Sequence, residues 1–172
     1  KKCVFMSSAM DFSLVKKAFN EVKPQLDEVD SFFEGGLCVL AARLAYEHLT
    51  DLGVKDLRVV GGKALFSVNK GRHGLIDFGY STNSLVGRQV GHYWVEHKEK
   101  GVIDFSLAYL KKVFVNDNKR RGVTDNTFEL DGRILLPFYR LSSYDELLNG
   151  AIGYHYLEIP NRGETLWLDR IP

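Results

Sequence analysis

A chain of 172 residues, 45% hydrophobic, 12% aromatic and 26% charged, has the composition of one globular domain (residues 1–172) able to bury a full core. Its net charge of +1 offers no excess to attract a polyanion, which argues against nucleic acid or an anionic membrane as partner. No run nears the 18 or so apolar residues of a membrane span, and no charged-then-apolar signal pattern opens the sequence.

The first predicted element carries Phe12, Val15, Phe19, Val22, Leu26 and Val29 at alternating spacings of three and four, one stripe of an amphipathic helix. Pro24 interrupts it, predicting either a kink or the start of a second helix there. A further helix is expected from Leu37 to Leu52, with Leu37, Leu40, Ala41, Leu44, His48 and Leu52 on one face and Gly53 as its stop. Strands follow at Leu57 to Val60, Lys63 to Val68, Leu75 to Phe78, Gly91 to His97 and Val102 to Phe105. Gly61-Gly62, Asn69 to Gly71 and Lys98 to Gly101 read as the turns between them.

Lys111 to Asn126 is polar and reads as a surface loop after a short helix. Leu130 to Leu141 is strand-like, and Ser142 to Asn149 a short helix capped by Ser142 or Ser143. Gly153 to Ile159 and Thr165 to Leu168 complete the strands. Helices first and consecutive antiparallel strands afterwards predict an α+β fold.

Two cysteines, Cys3 and Cys38, make no disulfide framework and point to a thiol-reducing compartment. A cytoplasmic location is the expectation, although the opening Lys1-Lys2 leaves a removed leader open. The histidines at 48, 73, 92, 97 and 155 lack the close spacing of a zinc site, so neither metal nor cofactor is called for.

Cys38 follows Gly35-Gly36 at the start of an apolar helix. There the helix dipole and unpaired backbone N–H groups favour a thiolate, and the glycines leave room beside the sulfur. His92 and Asp104 are equidistant from Lys98. A hairpin with an odd-length loop centred on Lys98 would place them directly opposite, with Cβ atoms about 5 Å apart. That contact would fix a histidine's tautomer, while Tyr93, Val95, Ile103 and Phe105 turn to the core.

These residues carry a resemblance. Gly36-Leu37-Cys38, Ala41-Ala42, Leu49 through Val54, Val59-Val60-Gly61-Gly62, Gly91-His92-Tyr93-Trp94-Val95-Glu96 and Val102-Ile103-Asp104-Phe105 resemble the transglutaminase-like superfamily of the papain-like class. The resemblance spans about residues 35–110. It implies an α+β fold whose N-terminal helices include a nucleophile helix packed on an antiparallel sheet. It also implies Cys38 as nucleophile, His92 as base and acid, and Asp104 as its orienter. The activity implied is thiol-dependent acyl transfer on an amide- or peptide-containing substrate: hydrolysis, deamidation or transglutamination. Many members place a Trp or Gln upstream of the cysteine to help hold the oxyanion. Here only Gln25 precedes it, so the Cys38 N–H is the first donor and the second stays unassigned.

His73 and Asp77 form a second His/Asp pairing, similar to the arrangement of arylamine N-acetyltransferases, but Arg72-His73-Gly74 reads as a turn. A non-catalytic binding domain on the same scaffold is the alternative from another class. His97 is expected in solvent in the hairpin loop, His48 in the core and His155 on a strand. Trp94 alternates with His92, either lining the site or filling the core, and Lys119-Arg120-Arg121 reads as a solvated loop.

Overall fold

The computed structural model describes residues 12–32, 37–67, 75–79, 81–83, 88–90, 92–120, 122, 133–138, 143, 145–149, 151 and 153–158. The first stripe forms one helix, α1 (Phe12–Phe32), which continues through Pro24. Pro24 is exposed, on the side away from the fully buried Val15, Ala18, Val22 and Leu26. Burial of that stripe offsets the backbone donor that proline removes. Phe12 remains exposed, so the buried stripe begins one turn later than its spacing suggests.

Helix α2 (Leu37–Asp51) starts where expected and buries Leu37, Ala41, Ala42, Leu44, Ala45 and Leu49. Its end is a Schellman motif. Gly53 takes a φ of 82°, its N–H donates to the Thr50 carbonyl at 2.9 Å, and the Val54 N–H reaches Leu49 at 2.9 Å.

The strands are β1 (Leu57–Ser67), β2 (Leu75–Gly79), β3 (Ser81–Asn83), β4 (Arg88–Val90), β5 (His92–His97), β6 (Gly101–Ile103), β7 (Leu135–Leu136) and β8 (Tyr154–Glu158). Gly61-Gly62 is not a turn: β1 runs unbroken through it. A Cβ on Gly61 would lie 2.9 Å from the Tyr93 ring, so this glycine serves close approach of a side chain, a role strands also give glycine. Strand β1 is the hub, pairing with β5 along Leu57–Gly62, β2 along Lys63–Ser67 and β8 along Gly62–Phe66. Every pairing is antiparallel, with β6 and β7 extending the sheet beyond β5 and β3–β4 forming a separate hairpin. The architecture is α+β, helices with a curled antiparallel sheet.

The β5–β6 hairpin pairs Val95 with Ile103, Glu96 with Val102 and His97 with Gly101. Its loop is therefore residues 98–100, centred on Glu99 rather than Lys98. Alternation along these strands divides the core in two. Val95, Ile103 and the following Phe105 join the buried faces of α1 and α2. Val60, Trp94 and Val102 face the other way, with Leu107 and Leu110 of α3 (Leu107–Arg120).

That helix replaces much of the loop expected from Lys111 onward. Its first turn carries Leu107, Tyr109 and Leu110, all buried, and this anchors a helix on which Lys111, Lys112 and Lys119 are exposed. Helix α4 is a single turn, Asp145–Leu148, starting two residues beyond Ser143. Of the strand expected over Leu130 to Leu141, Leu135–Leu136 is one, and Thr165 to Leu168 lies outside the described residues. The Arg58 guanidinium ties three strands together, binding Glu96 on β5 at 2.6 Å and Glu158 on β8 at 2.8 Å. No helix among the described residues is long and apolar enough to cross a membrane.

Candidate active site

His92 opens β5, opposite Gly62 of β1, and is 7% exposed. Asp104 follows β6 immediately and is 2% exposed, its backbone N–H bound to the Ile134 carbonyl at 2.9 Å. The imidazole Nε2–H donates to Asp104 Oδ2 at 2.7 Å. This pair is diagonal, not directly opposite. Extending the observed register sets Asp104 across from Trp94, two residues from His92. A two-residue offset keeps both side chains on one face, and diagonal neighbours remain within reach of a long side chain.

Two residues that the sequence reading did not single out complete the carboxylate's shell. Ser106 donates to Oδ1 from its N–H at 3.0 Å and from its hydroxyl at 2.5 Å. The Tyr156 hydroxyl of β8 donates to Oδ2 at 2.8 Å. A carboxylate has about four acceptor positions, and four donors meet it here. The signal for Ser106 was an Asp two residues before a Ser at a helix start, an Asx-turn pattern. Nothing comparable marks Tyr156, whose position depends on β8 pairing with a strand far back in the chain.

Cys38 is the second residue of α2, a half-buried thiol outside any disulfide. It hydrogen-bonds with His92, and since Nε2 serves Asp104, Nδ1 is the ring nitrogen left for it. The backbone N–H groups of the first helical turn, that of Cys38 included, have no intrahelical acceptor. The three residues singled out for chemistry are thus contiguous: thiol, imidazole, carboxylate. Trp94 fills the core and packs against the imidazole. It is fully buried and stacks on His92 with centroids 6.0 Å apart, while its indole N–H reaches Glu96 at 3.0 Å.

Burial alone would strip His92 of its proton, but the charge and hydrogen bond of Asp104, and the Cys38 side chain, raise it to about 10. Burial likewise pushes Asp104 up, and the imidazolium, Ser106 and Tyr156 more than reverse this, holding it below the ordinary carboxylate range. The contribution of His92 to stability is complete below the ordinary histidine value of about 6.5 and is lost as pH climbs toward about 10. That of Asp104 is present above its ordinary value and lost as pH falls through its lowered one. The stability gap between wild type and His92→Gln should therefore narrow from pH 7 to pH 10 in urea titrations. A gap that held constant or widened would contradict the ion pair.

The remaining candidates lie elsewhere. His97 is not solvated in the loop: it ends β5, is 8% exposed, and its Nδ1 accepts the N–H groups of Glu99 and Lys100 at 3.2 Å each. His48 is half-buried, with Nδ1 3.1 Å from the Leu44 carbonyl. His155 lies on β8, where burial lowers its proton affinity. Gln25 is exposed on α1, and Lys119 is exposed near the end of α3, a helix rather than a loop. Cys3, His73, Gly91 and Arg121 fall outside the described residues; Asp77 has its backbone on β2, across from Leu65. Among the described residues, no three His, Cys, Asp or Glu side chains are grouped to hold a metal ion. No family model, curated protein or solved structure matches this chain.

Proposed function

We propose that this protein is a thiol-dependent acyl-transfer enzyme of the transglutaminase-like kind, with Cys38 as nucleophile, His92 as base and acid and Asp104 as orienter. The observation that carries this reading is a buried imidazole held between a carboxylate at 2.7 Å and a thiol at a helix N-terminus.

In the proposed cycle the Cys38 sulfur attacks an amide carbonyl, and negative charge moves to the carbonyl oxygen. The Cys38 N–H is the donor proposed to meet that oxyanion. The His92 imidazolium gives its Nδ1 proton to the departing amine, and collapse leaves a thioester on Cys38. Neutral His92 then takes a proton from the acceptor. A water molecule releases an acid, and an amine forms a new amide; either way the thiolate is expelled and the thiolate–imidazolium pair returns. Asp104 keeps Nε2–H engaged throughout, so Nδ1 always faces the sulfur.

Iodoacetamide labelling tests this directly. Cys38 of the wild type should alkylate at pH 6 at least about tenfold faster than in His92→Ala, because the imidazolium stabilises the attacking thiolate. Equal rates in the two proteins would remove the acyl-transfer reading. Profiling amide, ester and peptide substrates, with Cys38→Ser as control, then identifies the acyl donor.

A further inference from the structure

Tyr156 sits on β8 opposite Ala64 of β1 and is half-buried. Its ring packs edge-on against Trp94 at 4.9 Å and Phe66 at 5.8 Å, and lies 6.1 Å from the His92 ring. A phenylalanine would occupy the same space, so packing does not account for the hydroxyl. That hydroxyl donates to Asp104 Oδ2, the same oxygen that accepts from His92 Nε2. The other oxygen is already anchored by Ser106. Anchored at Oδ1 alone, the carboxylate could still swing Oδ2 about that point. A second donor, delivered from a different strand, removes this freedom.

We infer that Tyr156 is a positioning residue: its hydroxyl holds Asp104 Oδ2 where His92 meets it, so that β8 completes the site. The inference rests on the acyl-transfer reading of Cys38 and His92. The groups facing Asp104 are His92 from β5, Ser106 from the start of α3 and Tyr156 from β8, with Cys38 of α2 beyond the imidazole. Each hydroxyl donor also favours the charged carboxylate. Without the Tyr156 hydroxyl, Asp104 takes up a proton at a higher pH and its hold on His92 fails sooner on acidification.

The test uses the full chain, wild type and Tyr156→Phe, alkylated with iodoacetamide from pH 4 to pH 8 while tryptophan fluorescence follows folding. The variant should react about tenfold more slowly near neutrality, and the acid limb of its profile should move up by about one pH unit. The same substitution in an Asp104→Asn background should change the rate by less than about twofold, since no carboxylate remains to be held. If acid unfolds the chain before the limb is reached, this cycle at pH 7 decides. An unmoved limb in a folded variant, or equal slowing in both backgrounds, overturns the inference and leaves the thiol chemistry standing. Wild-type alkylation indifferent to His92→Ala overturns the acyl-transfer reading itself, and the positioning role with it.

Discussion

Asp104→Ala is expected to cost about 3–5 kcal/mol of stability, the range for removing one partner of a buried ion pair. The cost is large because the carboxylate serves several buried groups at once. His92 loses its counter-charge, and the Ser106 N–H, Ser106 hydroxyl and Tyr156 hydroxyl lose their acceptor together. His92 must then either stay charged without a partner or give up its proton, and both outcomes slow attack by Cys38. Urea denaturation followed by tryptophan fluorescence gives the stability loss, and iodoacetamide at pH 6 gives the loss of thiol reactivity. A loss below about 1 kcal/mol, the level of one ordinary hydrogen bond, would mean that the buried pair is not charged in the folded protein.

Gly101→Ala should be nearly as damaging without touching any charged group. Gly101 holds a φ of 125°, where a side chain is strained, and a Cβ there would collide with the Leu136 carbonyl oxygen and stand 2.9 Å from Pro137 Cα. Both obstacles are backbone, so neither can rotate aside. Gly53 is the natural control. It also has positive φ, at 82°, but nothing lies within 4 Å of its Cβ position. Gly53→Ala should cost about 1 kcal/mol, the strain alone, and Gly101→Ala at least about 2–3 kcal/mol, since the β6–β7 pairing must also give way. Thermal melts of the two variants separate strain from collision. If they melt together, the close approach of β7 to Gly101 is not a constraint on the fold.

The site was legible where it depends on parity and local sequence, and hidden where it depends on partners. Cys38 could be placed at a helix start because a glycine pair precedes an apolar stripe. His92 and Asp104 could be placed on one face because an odd loop joins their strands. The register itself was not readable: a loop centred on Lys98 and one centred on Glu99 satisfy the same pattern. Gly61-Gly62 resembles a turn because nothing in sequence announces that the Tyr93 ring will lie over it. The polar run Asn116 to Arg121 conceals helix α3, since a helix needs an apolar face only where it packs. Tyr156 was out of reach altogether, because its importance is decided by which strand β1 accepts on its edge.

The Arg58 bridge and the Tyr156 hydroxyl bear on the order in which this fold can be completed. Arg58 and Glu158 are 100 positions apart in sequence, and Tyr156 and Asp104 are 52 apart. A chain emerging from the ribosome exposes Cys38, His92 and Asp104 well before β8 exists, and contacts of such separation form late. On the acyl-transfer reading, a half-made chain carries the Cys38 thiol before β8 can hold Asp104 against His92, so reactivity would wait for the last strand of the sheet.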